Sequence, residues 1–248
     1  MIEEEFWNNL KRFTNARIGL KNSGTSISTA DQLKFQLSFA EAKDAVHKEL
    51  DESLICEQFA EQEMPLYHLQ SQINNKAQYL NRPDLGRKLN ISSASLLSNL
   101  NQPPSDIALV ICDGLSSTAI HHHAFKFLRE FTSRDKTYSY SPLSIVRYGR
   151  VAIGDEIGFL LKVKLVVVLI GERPGLSSPD SMGIYFTYNP TPGLTDESRN
   201  CISNIHKNGL SYSQAAEKLR CLINESMARK ISGVFLKDKS DDYNLLNP

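Results

Sequence analysis

A run of six aliphatic residues at positions 165–170, Leu-Val-Val-Val-Leu-Ile, most constrains how this chain can fold. The run carries no polar residue on either face, which is the pattern of a strand buried on both sides. It leads directly into Gly-Glu-Arg-Pro-Gly at residues 171–175, so charged residues follow the end of a buried strand. Open α/β sheets bind their ligands beyond the carboxyl ends of parallel strands. The sequence therefore predicts a ligand-binding α/β domain with this turn at its functional edge.

Strand-like and helix-like patterns alternate beyond residue 102. Segments at residues 107–112, 143–148, 165–170 and 183–188 predict four strands, and the first and third of them are continuously apolar. Helices are predicted after the first two strands, and a terminal amphipathic helix over about residues 211–231. Buried strands separated by helices are typical of parallel sheets covered on both faces. We therefore predict an α/β fold with a mostly parallel, doubly wound (Rossmann-like) sheet.

The first hundred residues carry mostly helical signals. Ser28 is the expected start of a helix. Its apolar stripe comprises Leu33, Leu37, Phe39 and Ala40. Residues 65–80 alternate irregularly and could hold two short strands, and a further helix is expected with Pro83 at its first position. That helix would point four leucines inward: Leu85, Leu89, Leu96 and Leu97.

The clearest boundary is Asn-Gln-Pro-Pro-Ser at residues 101–105, because proline and polar residues cluster there. It divides the chain into a mostly helical N-terminal region, residues 1–102, and an α/β domain, residues 103–248.

Composition excludes several classes of function. Lys plus Arg and Asp plus Glu both number 28, so net charge gives no reason to expect nucleic acid or an anionic membrane as a partner. The longest apolar run, at residues 165–170, is far too short to span a bilayer. The four cysteines show neither C-x-x-C spacing nor the density of a disulfide framework. A reduced, cytosolic environment is the expectation.

Three of the predicted strands end in turns that contain glycine, at residues 113–114, 149–151 and 171–175. Parallel strands would bring all three turns to one rim of the sheet, where glycine lets the backbone approach a ligand closely. The alternative is that these glycines only make tight connections to the next element. The turn after residues 107–112 is not G-x-G-x-x-G, and no Walker sequence occurs, so a dinucleotide or phosphate cradle is not expected.

Two histidine patterns resemble metal sites, but neither is sufficient to predict one. The segment from Asn204 through His206 to Gly209 is close to the D-x-H-x-x-G signature of proteins whose histidine ligates the cobalt of cobalamin. Asn204 stands where that signature has a carboxylate, which would polarise the imidazole. His121, His122 and His123 are consecutive, and three neighbours on a helix cannot converge on one ion. Cys201 has no catalytic partner nearby in sequence.

Five motifs in order give the chain a resemblance to one family. They are Asn-Arg-Pro-Asp-Leu-Gly-Arg at 81–87, Asp-Gly-Leu-Ser at 113–116, Val-Arg-Tyr-Gly-Arg-Val at 146–151, Gly-Glu-Arg-Pro-Gly at 171–175 and Cys-Ile-Ser-Asn-Ile-His at 201–206. Together they resemble the small (light) subunit of ethanolamine ammonia-lyase, from about residue 6 to residue 234. The resemblance implies adenosylcobalamin-dependent conversion of ethanolamine to acetaldehyde and ammonia. It also implies a large catalytic subunit as partner, contacted by residues 1–102, and a place within a bacterial microcompartment.

The resemblance also implies which residues of this chain contact the cofactor: Val151, Glu172 and Cys201. It places no catalytic residue and no metal ligand here, because the family keeps the cofactor's own dimethylbenzimidazole on cobalt, which argues against His206. Two alternatives stay open at this point. One is a free-standing corrinoid carrier or mutase domain that uses His206, and the other is a scaffold subunit without enzymatic activity.

Overall fold

A six-stranded sheet with helices on both faces forms the centre of the structure, a computed structural model that describes residues 2–14, 16–60, 65–101, 103–134 and 137–238. The strands are β1 (Asn22–Ser23), β2 (Ser26–Ile27), β3 (Leu66–Gln70), β4 (Ile107–Cys112), β5 (Leu143–Arg147), β6 (Leu165–Gly171), β7 (Met182–Tyr188) and β8 (Arg199–Ile205). The helices are α1 (Ile2–Leu10), α2 (Thr29–His47), α3 (Glu52–Phe59), α4 (Lys76–Asn81), α5 (Ile91–Ser98), α6 (Ser117–Arg134), α7 (Ile153–Leu160) and α8 (Tyr212–Arg229).

The order of the large sheet is β3-β5-β4-β6-β7-β8. β3, β5, β4 and β6 pair in parallel, whereas β7 and β8 each run antiparallel to the preceding neighbour. The prediction of a mostly parallel α/β sheet is therefore confirmed. β7 is antiparallel because residues 172–181, which join it to β6, contain no helix that could carry the chain back across the sheet.

Two apolar cores lie on the two faces of this sheet. On one face α3, α6 and α8 contribute side chains such as Phe59, Phe127 and Leu219. On the other face α5 and α7 contribute Leu97 and Ile157, among others. Every residue of β4 and β6 is buried, as expected for strands covered on both sides. We call the second side the α7 face.

The N-terminal region differs from its prediction in two places. Residues 76–81 form helix α4, so only one strand, β3, lies within residues 65–80. The segment after Pro83 forms a single 3₁₀ turn (Leu85–Arg87), and the next helix, α5, starts only at Ile91. Leu96 is accordingly 43% exposed. β3 precedes the predicted boundary at residue 102 and pairs with β5, and the division into two regions stays a prediction.

Helix α2 begins as predicted, because the Ser28 hydroxyl accepts a hydrogen bond from the Asp31 amide at 3.2 Å. Its predicted stripe is not covered, however. Leu33, Phe35, Leu37 and Phe39 are all between 44% and 61% exposed. Ala45 is the buried residue of the helix. No described helix combines the length and apolarity needed to cross a bilayer.

A buried ion pair joins α7 to β8. Arg199 Nη1 donates to both carboxylate oxygens of Asp155, at 2.7 and 2.8 Å, and both side chains are at most 3% exposed. The same guanidinium reaches Thr187 on β7 and the carbonyl of Leu194. The pair therefore holds α7 over the antiparallel part of the sheet.

Replacing Arg199 by Met should lower the free energy of unfolding by about 3–5 kcal/mol, because Asp155 is left charged and buried without its partner. Urea unfolding measures the loss. Arg229→Met is the matched control, since Arg229 pairs with Glu225 at the surface and its loss should cost about 0–1 kcal/mol. Asp155→Leu combined with Arg199→Met should recover most of the loss. Equal losses in the two arginine variants would contradict this account.

Candidate functional site

The three glycine turns meet at one rim of the sheet, as predicted. The Asp113 carboxylate, directly after β4, accepts hydrogen bonds from the amides of Tyr148 (2.9 Å) and Gly149 (3.1 Å), directly after β5. The Leu115 amide donates to the carbonyl of Gly171 at the end of β6, at 3.0 Å. The three strand ends are thus tied to one another by short polar contacts.

Glycine at position 114 is required by this packing. Its φ is +61°, and a Cβ there would lie 2.3 Å from the carbonyl oxygen of Gly171. Gly114 therefore serves to make a tight connection between β4 and α6, which was the alternative to a role in ligand binding.

Asp113 is the buried organiser of the rim. It also accepts from the Gly114 amide at 2.9 Å, so three backbone donors converge on one carboxylate that is 1% exposed. Burial raises the pKa of Asp113 to about 6, although these amides and the ammonium of Lys76 oppose the shift. The side chain is therefore held where its ionisation is costly.

Val151 lies in the turn between β5 and α7. It is partly buried against the core on the α7 face. The preceding residue fixes the turn, since the Arg150 amide donates to the Gly86 carbonyl at 2.8 Å. The Arg150 guanidinium also stacks 4.0 Å above the ring of Tyr79 and donates to its carbonyl at 2.9 Å.

Glu172 follows β6 and connects three segments. Its Oε2 accepts from the Ser181 hydroxyl at 2.5 Å and from the Asn204 amide at 3.3 Å, and its Oε1 accepts from the Ser203 hydroxyl at 2.6 Å. The carboxylate lies over Gly183, where a Cβ would come within 2.8 Å of Oε1. Gly183 pairs with Ile170, so Glu172 lies on the α7 face.

Cys201 lies within β8 rather than in a loop. It pairs with Tyr185 on β7, and Tyr185 packs against the core of the α7 face. Cys201 is exposed, yet partial desolvation of its sulfur and the nearby Glu172 carboxylate raise the thiol pKa. The group is therefore a neutral thiol, suited to contact and hydrogen bonding rather than to metal ligation.

The structure thus places Val151, Glu172 and Cys201 on one face of the sheet. Glu172 and the turn containing Val151 lie at the rim, whereas Cys201 lies farther along β8, at the level of Val168 on β6. Within the described chain, α7 packs on β6 and β4, leaving Cys201 and Ser203 of β8 exposed. A groove of about 720 Å³ lies beside the first turn of α7, lined by Asp84, Arg87, Lys88 and residues 192–196 among others.

The segment from Asn204 to Gly209 closes on itself. The Leu210 amide donates to the Asn204 carbonyl at 2.8 Å, and a Cβ at Gly209 would lie 2.2 Å from that oxygen. His206 is buried with both ring nitrogens engaged. Nε2 lies 2.8 Å from Asn204 Oδ1, and Nδ1 accepts from the Asn208 amide at 3.3 Å. This turn explains the spacing of Asn204, His206 and Gly209, which resembles the cobalamin signature.

The three consecutive histidines do not share one partner. His121 Nε2 accepts from the Asp51 amide at 2.9 Å. His122 and His123 instead approach Asp180 on the loop before β7. As the sequence predicted, the three side chains do not converge on one point.

Sequence reasoning missed strand β8 and therefore the surroundings of Cys201. Residues 199–205 read Arg-Asn-Cys-Ile-Ser-Asn-Ile, in which burial does not alternate strictly. The irregular register between Met182 and Ile184 interrupts the alternation, and Asn204 takes a left-handed φ of 67°. Tyr185, Ser181 and Ser203 were missed for the same reason, since only the pairing of β7 with β8 brings them to Glu172.

Comparison with known proteins identifies the family. Residues 4–237 match the family described as ethanolamine ammonia-lyase light chain (EutC). The chain belongs to this family. It is 48% identical over 252 residues to the ethanolamine ammonia-lyase small subunit of Pseudomonas fluorescens strain SBW25, covering 97% of this chain and 91% of that one. It is 50% identical over 240 residues to the small subunit of P. fluorescens strain Pf0-1, covering 94% and 87%.

A third relative, the ethanolamine ammonia-lyase small subunit of Pseudomonas syringae pv. tomato, is 48% identical over 239 residues, covering 94% of this chain and 83% of its own. The resemblance read from five motifs is therefore confirmed along nearly the whole chain. The chain is a light-chain family member and hence a subunit of a carbon–nitrogen lyase.

The raised pKa of Asp113 predicts a pH-dependent stability. The folded carboxyl holds its proton up to about pH 6, whereas the carboxyl of the unfolded chain ionises near pH 4. The contribution of this group to the free energy of unfolding is therefore full below about pH 4 and is lost as the pH rises through about 6. Relative to Asp113→Asn, the wild-type free energy of unfolding should fall by up to about 3 kcal/mol between pH 4 and pH 7. Urea unfolding across this range measures the difference. Asp44→Asn, on the exposed surface of α2, is the control. A constant difference between wild type and Asp113→Asn would refute the account.

Proposed function

We propose that this chain is the small subunit of an adenosylcobalamin-dependent ethanolamine ammonia-lyase and that Val151, Glu172 and Cys201 contact the cofactor. The cofactor then lies between the α7 face of this chain and the large subunit. Adenosylcobalamin supplies a carbon–cobalt bond whose cleavage starts the radical chemistry, and this chain's part is to bind, orient and shield it.

The observation that carries the proposal is the exposed part of β8 on the α7 face. Strands β4 and β6 are buried on both sides, but Cys201 and Ser203 face outward next to the Glu172 carboxylate. An exposed sheet face with a carboxylate, a thiol and a hydroxyl is suited to a broad polar ligand. A corrin fits this description because its rim carries many side-chain amides.

Hydrogen-bond capacity at Glu172 agrees with an amide ligand. A carboxylate has about four lone-pair sites. Two at Oε2 are used by Ser181 and Asn204, and one at Oε1 by Ser203. One site at Oε1 is left for a donor from outside the chain. The three internal bonds hold the carboxylate in place, so little freedom is lost when an amide binds.

The surroundings of His206 favour this proposal over a free-standing corrinoid carrier. A histidine that ligates cobalt must present one free ring nitrogen, and a carboxylate usually orients the other. Nε2 of His206 contacts the side-chain amide of Asn204, and Nδ1 accepts from the Asn208 backbone amide, so neither nitrogen is free. The group that orients the ring is thus an amide and not a carboxylate. His206 is therefore a structural residue that closes the end of β8.

An exposed apolar surface on α2 supports the proposed contact with the large subunit. Leu33 and Leu37 lie four residues apart on one side of the helix, and Phe35 and Phe39 stack on another, with ring centroids 6.5 Å apart. All four are exposed in the described chain. Exposed apolar patches of this kind mark protein interfaces. We propose that α2 docks on the large subunit.

The purified chain with adenosylcobalamin and ethanolamine should produce no acetaldehyde, and adding the large subunit should restore production. The reason is that the proposed contact residues bind the cofactor but offer no acid–base pair aimed at a substrate. Leu33→Asp with Leu37→Asp should weaken reconstitution, because charges would be buried at the docking surface. Measuring acetaldehyde against the concentration of this chain tests both statements.

Lys43→Asp, on the same helix and exposed, is the matched control for the leucine variants. Acetaldehyde from the isolated chain would overturn the division of labour between the subunits. Equal reconstitution by the leucine and lysine variants would overturn the docking surface alone.

Glu172→Ala should weaken adenosylcobalamin binding to the assembled enzyme by roughly one to two decades, since a hydrogen bond to a charged group contributes about 1.5–3 kcal/mol. Glu172→Gln keeps the shape and one acceptor oxygen, so its loss should be smaller. Titration of the cofactor into assembled variants measures both.

Ser181→Ala separates binding from stiffening of the loop. Ser181 is buried and donates to Glu172, so it supports the carboxylate without reaching a ligand on the exposed face. Its removal should change thermal stability more than cofactor affinity. If Glu172→Ala binds cofactor as tightly as wild type, the assignment of Glu172 fails.

A further inference from the structure

Two consecutive histidines on α6 and an aspartate from another segment form a compact cluster behind the rim. His122 Nδ1 lies 3.2 Å from Asp180 Oδ2, and His123 Nε2 lies 3.4 Å from the same oxygen. The three ligand atoms all lie within 4.8 Å of one another. The cluster joins α6 to the loop between β6 and β7, at residues separated by 57 positions or more in the chain.

One of these nitrogens is buried and lies 3.4 Å from the Asp180 carboxylate without forming a hydrogen bond to it. His123 is 5% exposed, and its Nε2 makes no hydrogen bond within the described chain although Asp180 lies close. A buried polar atom that makes no hydrogen bond is uncommon in folded proteins and calls for a physical explanation. The other ring nitrogen, Nδ1, lies 2.7 Å from the Tyr212 hydroxyl on α8.

The spacing of the cluster fits a bound transition-metal ion. Zinc bonds to imidazole nitrogen and carboxylate oxygen are about 2.0–2.2 Å long, so neighbouring ligand atoms of a tetrahedral site lie roughly 3.3–3.5 Å apart. Two of the three separations, 3.2 and 3.4 Å, lie at or near that range. The contact from Tyr212 to Nδ1 is the outer hydrogen bond that metal-ligating histidines usually make.

We propose that His122 Nδ1, His123 Nε2 and Asp180 Oδ2 bind one divalent transition-metal ion of the zinc class, with water completing the tetrahedron. Consecutive histidines can bind the same ion here because only two of the three in the run take part. They use different ring nitrogens, and their rings stand at 89° with centroids 5.9 Å apart. His121 is engaged with the Asp51 amide instead.

The position of the ion gives it a structural role. Asp180 directly precedes Ser181, which holds Glu172. The loop is also tied to the residue just before α6, since the Ser116 hydroxyl donates to the Pro179 carbonyl at 3.0 Å. A metal ion between Asp180 and α6 would therefore hold the loop of residues 172–181 against the helix layer. The proposal does not depend on the function proposed above.

Zinc binding to the purified chain tests the proposal. After treatment with a chelator, the chain is dialysed against Zn²⁺, Co²⁺ or Mg²⁺, and the bound metal is measured. We expect about one zinc or cobalt ion per chain and no magnesium, because imidazole ligands select transition metals. Bound Co²⁺ should show the intense visible absorption of tetrahedral coordination, and zinc should raise the melting temperature.

Variants separate the site from adventitious binding to histidine. Asp180→Ala and His122→Ala should lose the bound ion, and His122 is half-exposed, so its removal leaves the fold intact. Tyr212→Phe should weaken zinc binding by about 10–100-fold, since it removes only the outer hydrogen bond. His47→Ala, an exposed histidine on α2, should bind zinc like wild type.

A wild-type chain that retains no zinc would overturn the proposal, leaving the cluster as a hydrogen-bonded His–Asp–His group without an ion. Equal zinc content in wild type, Asp180→Ala and His122→Ala would overturn it as well, because the ion would then lie elsewhere.

Discussion

Burial of both faces of β4 and β6 is the constraint on which the rest of the structure depends. All residues of these two neighbouring strands are buried, so each face requires its own layer of helices. That requirement fixes α6 and α8 on one side and α5 and α7 on the other. It also brings the ends of β4, β5 and β6 to one rim, where the turns after them meet.

Two carboxylates, those of Asp113 and Glu172, fix the positions of the segments at this rim. Asp113 is buried and binds the backbone after β5, whereas Glu172 is partly exposed and binds the segments on either side of β7. The difference in burial separates their roles. The buried group stabilises the turn leading to Val151 and has a raised pKa, and the exposed one keeps an acceptor site for a ligand.

The two faces of the sheet carry different proposed tasks. The α7 face ends in uncovered strand surface beside Glu172, which is suited to a broad polar cofactor. On the opposite face, α6 and α8 position His122, His123 and Tyr212 around Asp180. The loop of residues 172–181 belongs to both arrangements, since Glu172 lies at its start and Asp180 near its end. An ion at Asp180 would therefore influence how firmly the carboxylate is held.

The sequence by itself determined the α/β class, the central strands and the rim, because unbroken aliphatic runs can only be satisfied by burial on two sides. It also determined the family, because the five motifs are short contiguous segments that are legible without knowledge of their contacts. Local signals failed where long-range pairing decides the outcome. β8 is a polar strand with an irregular register. Only its pairing with β7 makes this segment a strand and brings Cys201 beside Tyr185.

The tertiary structure alone decided which polar groups meet. Asp155 and Arg199 are 44 positions apart in the chain, and no local pattern predicts that α7 would bury one against the other. Likewise, three neighbouring histidines cannot share one ion by helical geometry, but a distant aspartate changes what two of them can bind. The amino-acid sequence specifies the chemistry of each side chain, whereas the distance between two side chains far apart in the chain is set only when the layers pack.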